Sequence, residues 1–520
     1  MMRKVPESFT PAFLDLETER FLSFQEVVNA FKPLSLFGKK EFLHIKPLED
    51  DKVKQAYEFM KKIEKCQQRE RIEHILSDFH EISSSLNAVE RGNSTVIDLF
   101  EIKRFIHHHR ILKEMTQNCL DGYFSSLEDV WKLLDPQKSA SYAFSPFNAE
   151  IERLTKECLN LQSKIKILYQ KVAKKLEEKY NVKVKDGKFV LPRRKAKELL
   201  LSSLIMVERE GIQSYTFALR PTDEILKLEK KLLDCEEKLK NSQNDEIKRL
   251  SIMISHDVER LKTERRKIVE FDLSLAKLRG LKWGWTYPTF SSSIEMKSAF
   301  HPQVKKKVEE MGYEYTNLDG TFERGLTMIF GPNMGGKTTT LKTIGLLCAL
   351  ASYGFLVPAK SAVLPKVKWI RYIGSQEEND GLSKFARQID LTAQSLSLPQ
   401  NGLILIDEFG AGTNPYEGEA LASALATSLA KRKDFSVMVT HYRKTIENVE
   451  CKKYTLGRLN FEGGITIENL FSKIDHHLVN GAHVKLGDAI KLAEILGLPY
   501  DIIENASKNL LSFSDERSSN

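Results

Sequence analysis

The sequence lacks most of what an extracellular or membrane-embedded protein needs. Its six cysteines, Cys66, Cys119, Cys158, Cys235, Cys348 and Cys451, are scattered over 520 residues with no C-x-x-C pair. Neither a zinc site nor a disulfide framework is therefore expected, and a reducing compartment is. The N-terminus, MMRKVPESFTPAF, is too polar for a signal peptide. Long apolar runs are missing: the most apolar stretch, Thr343 to Pro358, contains glycine and proline, which argues against a membrane span. Charge of one sign is not in large excess either, and a net +8 permits nucleic-acid binding without arguing for it. The expectation is a cytoplasmic protein, free to associate with the nucleoid, with no membrane partner. A chain of 520 residues, 41% hydrophobic, is too long for one core and implies two to four domains.

What is present is a complete phosphate-binding loop. GPNMGGKTTT (Gly331 to Thr340) has the form G-x-x-x-x-G-K-[ST]. It follows a strand-like run, Leu326 to Phe330, and precedes a helix-like one, Thr338 to Leu350. A strand feeding a glycine-rich turn at a helix N-terminus aims N–H groups and the positive end of the helix dipole at phosphate oxygens. Gly331, Pro332, Asn333, Met334, Gly335, Gly336, Lys337, Thr338 and Thr339 are the nucleotide-binding candidates. Lys337 reaches the β- and γ-phosphates in this reading, and the Thr338 hydroxyl ligates Mg²⁺.

A second strand pattern, Leu403 to Ile406, ends in Asp407-Glu408. A carboxylate at the C-terminal end of a strand beside the loop can hold Mg²⁺, and its neighbour can deprotonate the attacking water. Asp407 is the metal candidate and Glu408 the general base. A third strand, Ser436 to Val439, ends in Thr440-His441; His441 is a candidate γ-phosphate sensor, with a structural histidine as the alternative.

GPNMGGK, DEFGAGT and THY in this order resemble the MutS family of ABC-type ATPases. The resemblance implies ATP and Mg²⁺ as ligands, and a polarising role for Asn333. Gly381 to Phe385 resembles the family's Ser-Thr-Phe segment, making Ser383 the candidate that reaches the partner subunit's nucleotide; Lys384 stands where threonine is usual. AFHPQV (Ala299 to Val304) resembles the segment opening the family's ATPase domain. Tyr315, in Tyr315-Thr316-Asn317, is placed where an aromatic ring packs on adenine; a core tyrosine is the alternative. Leu478 to Ala506 resembles the family's C-terminal dimerisation helices, and FGKKEFLHIKPLEDD the start of its core and lever helices. The Asp-Glu loop looks closer to the family's non-mismatch branch and GPNMGG closer to its mismatch-repair branch. The resemblance also implies a short member, without the mismatch-reading and connector domains and without a C-terminal Smr nuclease.

The first half is helical in pattern. In RIEHILSDFHEISSSL the spacing of Ile72, Ile75, Leu76, Phe79 and Ile82 predicts a helix with Phe79 as core, which accounts for the Phe79-His80-Glu81 match to a mismatch-reading Phe-x-Glu. His107 to His109 are consecutive, so a helix splays them and they cannot share one ion. Two long charged helices, Asn148 to Tyr180 and Thr222 to Leu278, carry the apolar spacing of antiparallel arms. Between them the period becomes strand-like, with Asp186-Gly187 as a hairpin turn. The resemblance makes this tip the family's DNA clamp. Lys185, Lys188, Arg193, Arg194, Lys195 and Lys197 are its DNA-phosphate candidates, joined by Arg209, Gln213 and Tyr215 on the second tip strand. A solvated charged loop is the plain alternative. Trp283, Trp285 and Tyr287 are expected to fill the joint between arms and ATPase domain.

The expected fold is an α/β ABC-type P-loop ATPase domain joined to a mostly α-helical core and lever region with a small β-containing clamp. The boundaries read as 1–290 for the helical region, 180–222 for the clamp within it, 291–465 for the ATPase domain and 466–520 for the dimerisation segment and polar tail. The expected function is an ATP-driven clamp of a homodimer on double-stranded or branched DNA, acting with downstream repair proteins. The alternative is a regulatory ATPase whose arms grip a protein or a ribosome-like assembly. A chromosome-type ATPase fits poorly, because its arms would lie between the loop and the Asp-Glu strand.

Overall fold

The computed structural model describes residues 12–139, 141–332, 335–374, 384–459, 474–481, 488–495 and 497–515. The chain forms two compact units, residues 68–267 and residues 1–67 with 268–520.

The unit of residues 68–267 is built on helices. α1 (Arg69–Ser77) stops short of the helix predicted through Ile82. Phe79 therefore lies outside it, yet is fully buried against the Phe105 ring, 5.6 Å between centroids. α2 (Val96–Thr116) opens on a capping box, the Thr95 hydroxyl accepting from Asp98 N–H and the Asp98 carboxylate accepting from Thr95 N–H. It splays the three histidines as expected: His108 and His109 are buried and His107 is half-buried. No group of three metal-ligating side chains occurs among the described residues.

α3 (Ala149–Tyr180) starts at Asn148, whose side chain accepts from Ile151 N–H. Its antiparallel neighbour, expected from the spacing as one helix, is two, α4 (Asp223–Ser255) and α5 (Val258–Lys277). Asp257 sits at the break and pairs with Arg260 at 2.9 Å, an acid placed where it favours the start of a new helix. Midway along the pair, Leu154, Cys158 and Cys235 form a small core, with the two sulfurs 2.6 Å apart.

At the tip, β1 (Lys188–Pro192), β2 (Ile205–Glu210) and β3 (Ser214–Leu219) form an antiparallel sheet in the order β1-β3-β2. Asp186 and Gly187 both have positive φ (50° and 73°), as the tight hairpin turn requires. Phe189 and Phe217 stack at 5.4 Å and close a core with Val172 and Leu176 of α3 and Ile225 of α4. Arg209, Gln213 and Tyr215 do not share one strand: they fall on β2, the connecting turn and β3. The turn intervenes because Gly211 N–H bonds Ser214 O across the hairpin.

The second unit holds a six-stranded sheet. Its members are β4 (Gly325–Phe330), β5 (Ile370–Ile373), β6 (Leu403–Asp407), β7 (Phe435–Val439), β8 (Lys452–Thr455) and β9 (Val479–Asn480), in the order β9-β8-β4-β7-β6-β5. All neighbours are parallel except β9 and β8. α6 (Lys337–Ser352), α7 (Lys384–Ser397) and α8 (Pro415–Ala430) belong to the same unit. β4, β6 and β7 are near-continuous apolar runs, as a sheet covered on both faces demands. A separate four-stranded sheet contains Ile294–Ala299 and Leu318–Phe322. Two further helices, α9 (Asp488–Ile495) and α10 (Tyr500–Asp515), lie near the C-terminus.

The first 67 residues group with this sheet rather than with residues 68–267, unlike a partition drawn in sequence order at 290. Phe21 stacks on Tyr372 at 3.5 Å, and Thr18 Oγ1 accepts from Tyr372 N–H at 2.8 Å. Trp285 is buried against Phe31, whereas Trp283 is half-exposed. Cys158, Cys235, Cys348 and Cys451 are free.

Glu264 of α5 is the most demanding buried carboxylate in the helical unit. It meets His109 Nε2 at 2.9 Å and accepts from Ser125 N–H at 3.1 Å and Lys267 Nζ at 2.8 Å. Burial alone would raise its pKa, but these partners outweigh it and hold the carboxyl at about 2. A carboxyl depressed below its unfolded value stabilises the fold above that value, and the stabilisation fades as pH falls toward about 2. Glu264→Ala is expected to cost about 3–5 kcal/mol, because its partners stay buried. Urea unfolding from pH 5 to pH 2 should show the wild type losing this contribution and the variant lacking the corresponding slope.

Candidate nucleotide-binding site

Strand register sets the site. Asp407 pairs with Val439, and Val439 with Ile329. Beyond them, Glu408 N–H donates to Val439 O and Thr440 N–H to Ile329 O, each at 3.2 Å. The carboxyl ends of β4, β6 and β7 therefore deliver the Gly331 loop, Asp407-Glu408 and Thr440-His441 to one edge, where open α/β sheets place their ligands.

The loop is fixed backbone against backbone. Gly331 has φ +146°, and a Cβ there would lie 1.8 Å from Leu456 O; one on Gly335 would lie 2.9 Å from Gly457 Cα. α6 then begins at Lys337, presenting its N-terminus to the loop. Lys337 is buried and its Nζ donates to Gly331 O (2.8 Å) and Pro332 O (2.9 Å). Burial lowers its pKa, opposed by Glu408 and Asp407.

Thr338 Oγ1 donates to Asp407 Oδ2 at 2.8 Å. Burial raises the Asp407 pKa, and the Thr338 hydrogen bond opposes the rise. Glu408 is shifted the other way, chiefly by its hydrogen bond to His441 Nε2 at 2.8 Å. Two adjacent carboxyls are thus shifted in opposite directions. Thr338 and Asp407 offer hard oxygen donors that suit Mg²⁺.

Beside the loop is a cavity of ≈ 210 Å³ lined by Val304, Val308, Tyr315, Gly335, Thr339 and His476, among others. Tyr315, a candidate from the sequence, is half-buried there, with its hydroxyl accepting from His301 N–H at 3.3 Å. His476 is an addition to the sequence candidates; its Nδ1 lies 3.0 Å from Gly335 O. No motif marks it, since it reaches the loop only through the folding of residues 474–481. Gln388 of α7 is a second addition. Its Nε2 faces Asp407 O and Glu408 O at 3.4 Å each, and its Oε1 accepts from Gly410 N–H at 3.1 Å. Asn333, Met334 and Ser383 lie outside the described residues.

The tip candidates belong to the other unit. Lys185, Lys188, Arg193, Arg194, Lys195 and Lys197 are all exposed. Lys188 pairs with Glu208, and Arg193 pairs with Glu210 at 2.6 Å while lying over the Tyr215 ring. Lys185, Arg194, Lys195 and Lys197 have no acidic partner among the described residues. The same tip exposes Val190, Leu201 and Ile212, the last two at 90% and 94%.

The family model for MutS domain V matches residues 327–514, which span β4 to α10. The DNA mismatch repair protein MutS of Thermus thermophilus is 27% identical over 301 residues, covering 56% of this chain and 35% of that protein. The endonuclease MutS2 of Clostridium botulinum is 26% identical over 463 residues, covering 83% of this chain and 56% of that one. The chain thus spans about a third of the one relative and about half of the other. The domain V match contains the whole loop, the Asp407-Glu408 strand end and the His441 strand end, and the likeness to MutS2 extends over most of the remaining chain: residues 327–514 match MutS domain V, and the chain is similar to MutS and MutS2 proteins.

Proposed function

We propose that the protein is an ATPase that uses Mg·ATP to control a DNA-gripping clamp. The observation that carries the ATPase reading is the convergence of Lys337, Thr338, Asp407, Glu408 and His441 at one sheet edge. Lys337 binds phosphate once it leaves its two loop carbonyls, and α6 directs its dipole at the same oxygens. Thr338 and Asp407 hold Mg²⁺, which neutralises developing phosphate charge when bound. Glu408 orients and deprotonates water. His441, in contact with Glu408, senses the γ-phosphate and keeps the base ionised until then. Tyr315 and His476 flank the cavity that receives the base of the nucleotide. The family resemblance supports a homodimer with Ser383 acting on the partner's nucleotide and α9 and α10 contributing to association.

The relatives' names, a DNA mismatch repair protein and an endonuclease, support duplex or branched DNA as the substrate of the clamp and repair proteins as its downstream partners. At the tip, Lys185, Arg194, Lys195 and Lys197 are available to phosphates. The pairing of Arg193 does not remove it from that set, since an exposed ion pair is worth only about 0–1 kcal/mol and a phosphate can replace the acid. A second reading, a tip that grips protein, is favoured by the exposed Leu201 and Ile212.

Glu408→Gln is expected to lower kcat for ATP by about 10²–10⁴-fold while leaving Mg·ATP affinity nearly unchanged. Lys337→Ala should weaken nucleotide binding itself. Steady-state phosphate release beside equilibrium binding of a fluorescent ATP analogue checks both; a wild-type rate in the Glu408 variant would sink the general-base assignment, and a wild type that releases no phosphate would sink the ATPase reading.

For the tip, the triple change Arg194→Ala, Lys195→Ala, Lys197→Ala should weaken DNA binding alike on every sequence. It should also flatten the salt dependence by about one log–log unit for each phosphate that the tip no longer neutralises. Basal ATPase activity should be retained. A salt series on homoduplex, mismatched and four-way-junction DNA provides the test, and an unchanged slope would favour the protein-gripping reading.

A further inference from the structure

We propose that Gln388 is a positioning residue for hydrolysis, its carboxamide holding the turn that carries Glu408 and tying that turn to α7. The inference rests on the ATPase reading above.

Glu408 has φ +51°, a left-handed conformation unfavourable to a residue with a Cβ, so its surroundings must sustain it. The turn that follows supplies the means. Gly410 N–H is held by Gln388 Oε1 at 3.1 Å, and Gly410 O accepts from the Tyr442 hydroxyl at 2.9 Å. The other end of the carboxamide faces the carbonyls of Asp407 and Glu408. One side chain therefore addresses the chain at three points, before, at and after the general base.

Burial makes this specific. Gln388 is 4% exposed, and a buried carboxamide is costly unless both its ends are bonded. Only a neutral amide supplies N–H to two carbonyls and an acceptor to one N–H. A glutamate would keep the acceptor but turn an anion toward the two carbonyls, close to Asp407. A methionine would fill the space and leave Gly410 N–H without its partner. Where Glu408 relaxes toward the right-handed region, its carboxylate swings away from His441, now 2.8 Å distant, and from the water it must activate. The hydrogen bonds of Gln388 reach neither the base's carboxylate nor the phosphate loop, so its removal should leave binding intact and impair the chemical step.

The test compares wild type, Gln388→Met, Gln388→Glu, Glu408→Gln and the double variant Gln388→Met/Glu408→Gln. Steady-state Mg·ATP hydrolysis, equilibrium binding of a fluorescent ATP analogue and thermal unfolding are followed. Gln388→Met is expected to lower kcat by about tenfold or more, with nucleotide affinity changed by less than about twofold. In the Glu408→Gln background the same change should have almost no further effect, because a residue acting through the base has nothing left to position. Gln388→Glu, retaining the acceptor for Gly410, should fall between wild type and Gln388→Met, and it carries the comparison should the methionine variant not fold. Unchanged kcat, a loss of affinity as large as the loss of kcat, or an undiminished effect on top of Glu408→Gln would each overturn the proposal. A wild-type rate in the Gln388 variants beside an impaired Glu408→Gln removes this inference alone; a Glu408→Gln variant with full activity removes the general-base role of Glu408 and this inference with it, and a wild type without Mg·ATP hydrolysis removes the ATPase reading as well.

Discussion

The parallel pairing of β4, β7 and β6 is the constraint on which the rest of the structure depends. Because Ile329, Val439 and Asp407 are level, three chain segments far apart in sequence turn outward at one height. The pairing is strongly specified, since every residue of the three strands but Asp407 is buried. A slip of one residue along any ladder would exchange the sheet faces for that strand and carry its catalytic side chain out of reach of the others. The apolar runs that make the strands recognisable therefore also set the geometry at their ends.

That coupling explains what could be read from the sequence. Gly331 to Thr339, Asp407, Glu408 and His441 lie within a few residues of strand ends, so a local pattern predicts their place. Strand and helix limits agree to within a residue or two: β6 runs to Asp407 and α6 from Lys337 to Ser352. Gln388 and His476 were not legible because their partners, Gly410 and Gly335, are distant in sequence and no local spacing announces them. The break at His256-Asp257 was hidden for another reason. The apolar spacing continues through Ile254, Val258 and Leu261, and all three are buried, so periodicity alone cannot show that the hydrogen-bond ladder is interrupted. Phe79 is core, as its spacing implies, but not helical, for burial does not require the helix to continue. The grouping of residues 1–67 with the large sheet follows from contacts such as Phe21 on Tyr372, which composition cannot reveal.

The tip shows a different limit. Sequence counts its basic residues correctly but cannot tell which are already engaged. Lys188 and Arg193 reach Glu208 and Glu210 of β2 past the intervening β3, while Arg194, Lys195 and Lys197 fall in the segment between β1 and β2, outside the strands. A basic count along the chain therefore overstates the unpaired positive charge on the folded surface, and the difference is set by the fold of the tip rather than by composition.

The close approach of the phosphate loop to residues 456 and 457 limits how this chain can vary. Gly335 and Gly457 face each other with no space for a methyl group on either, and Gly331 meets the carbonyl of Leu456. A change at one of these positions cannot be accommodated by a smaller neighbour, because the obstacle is main chain on both sides. The loop that holds the nucleotide and the strand end that follows β8 must then drift together or not at all. Random mutagenesis selected only for folding would leave Gly457 as untouched as the motif glycines, although no motif contains it.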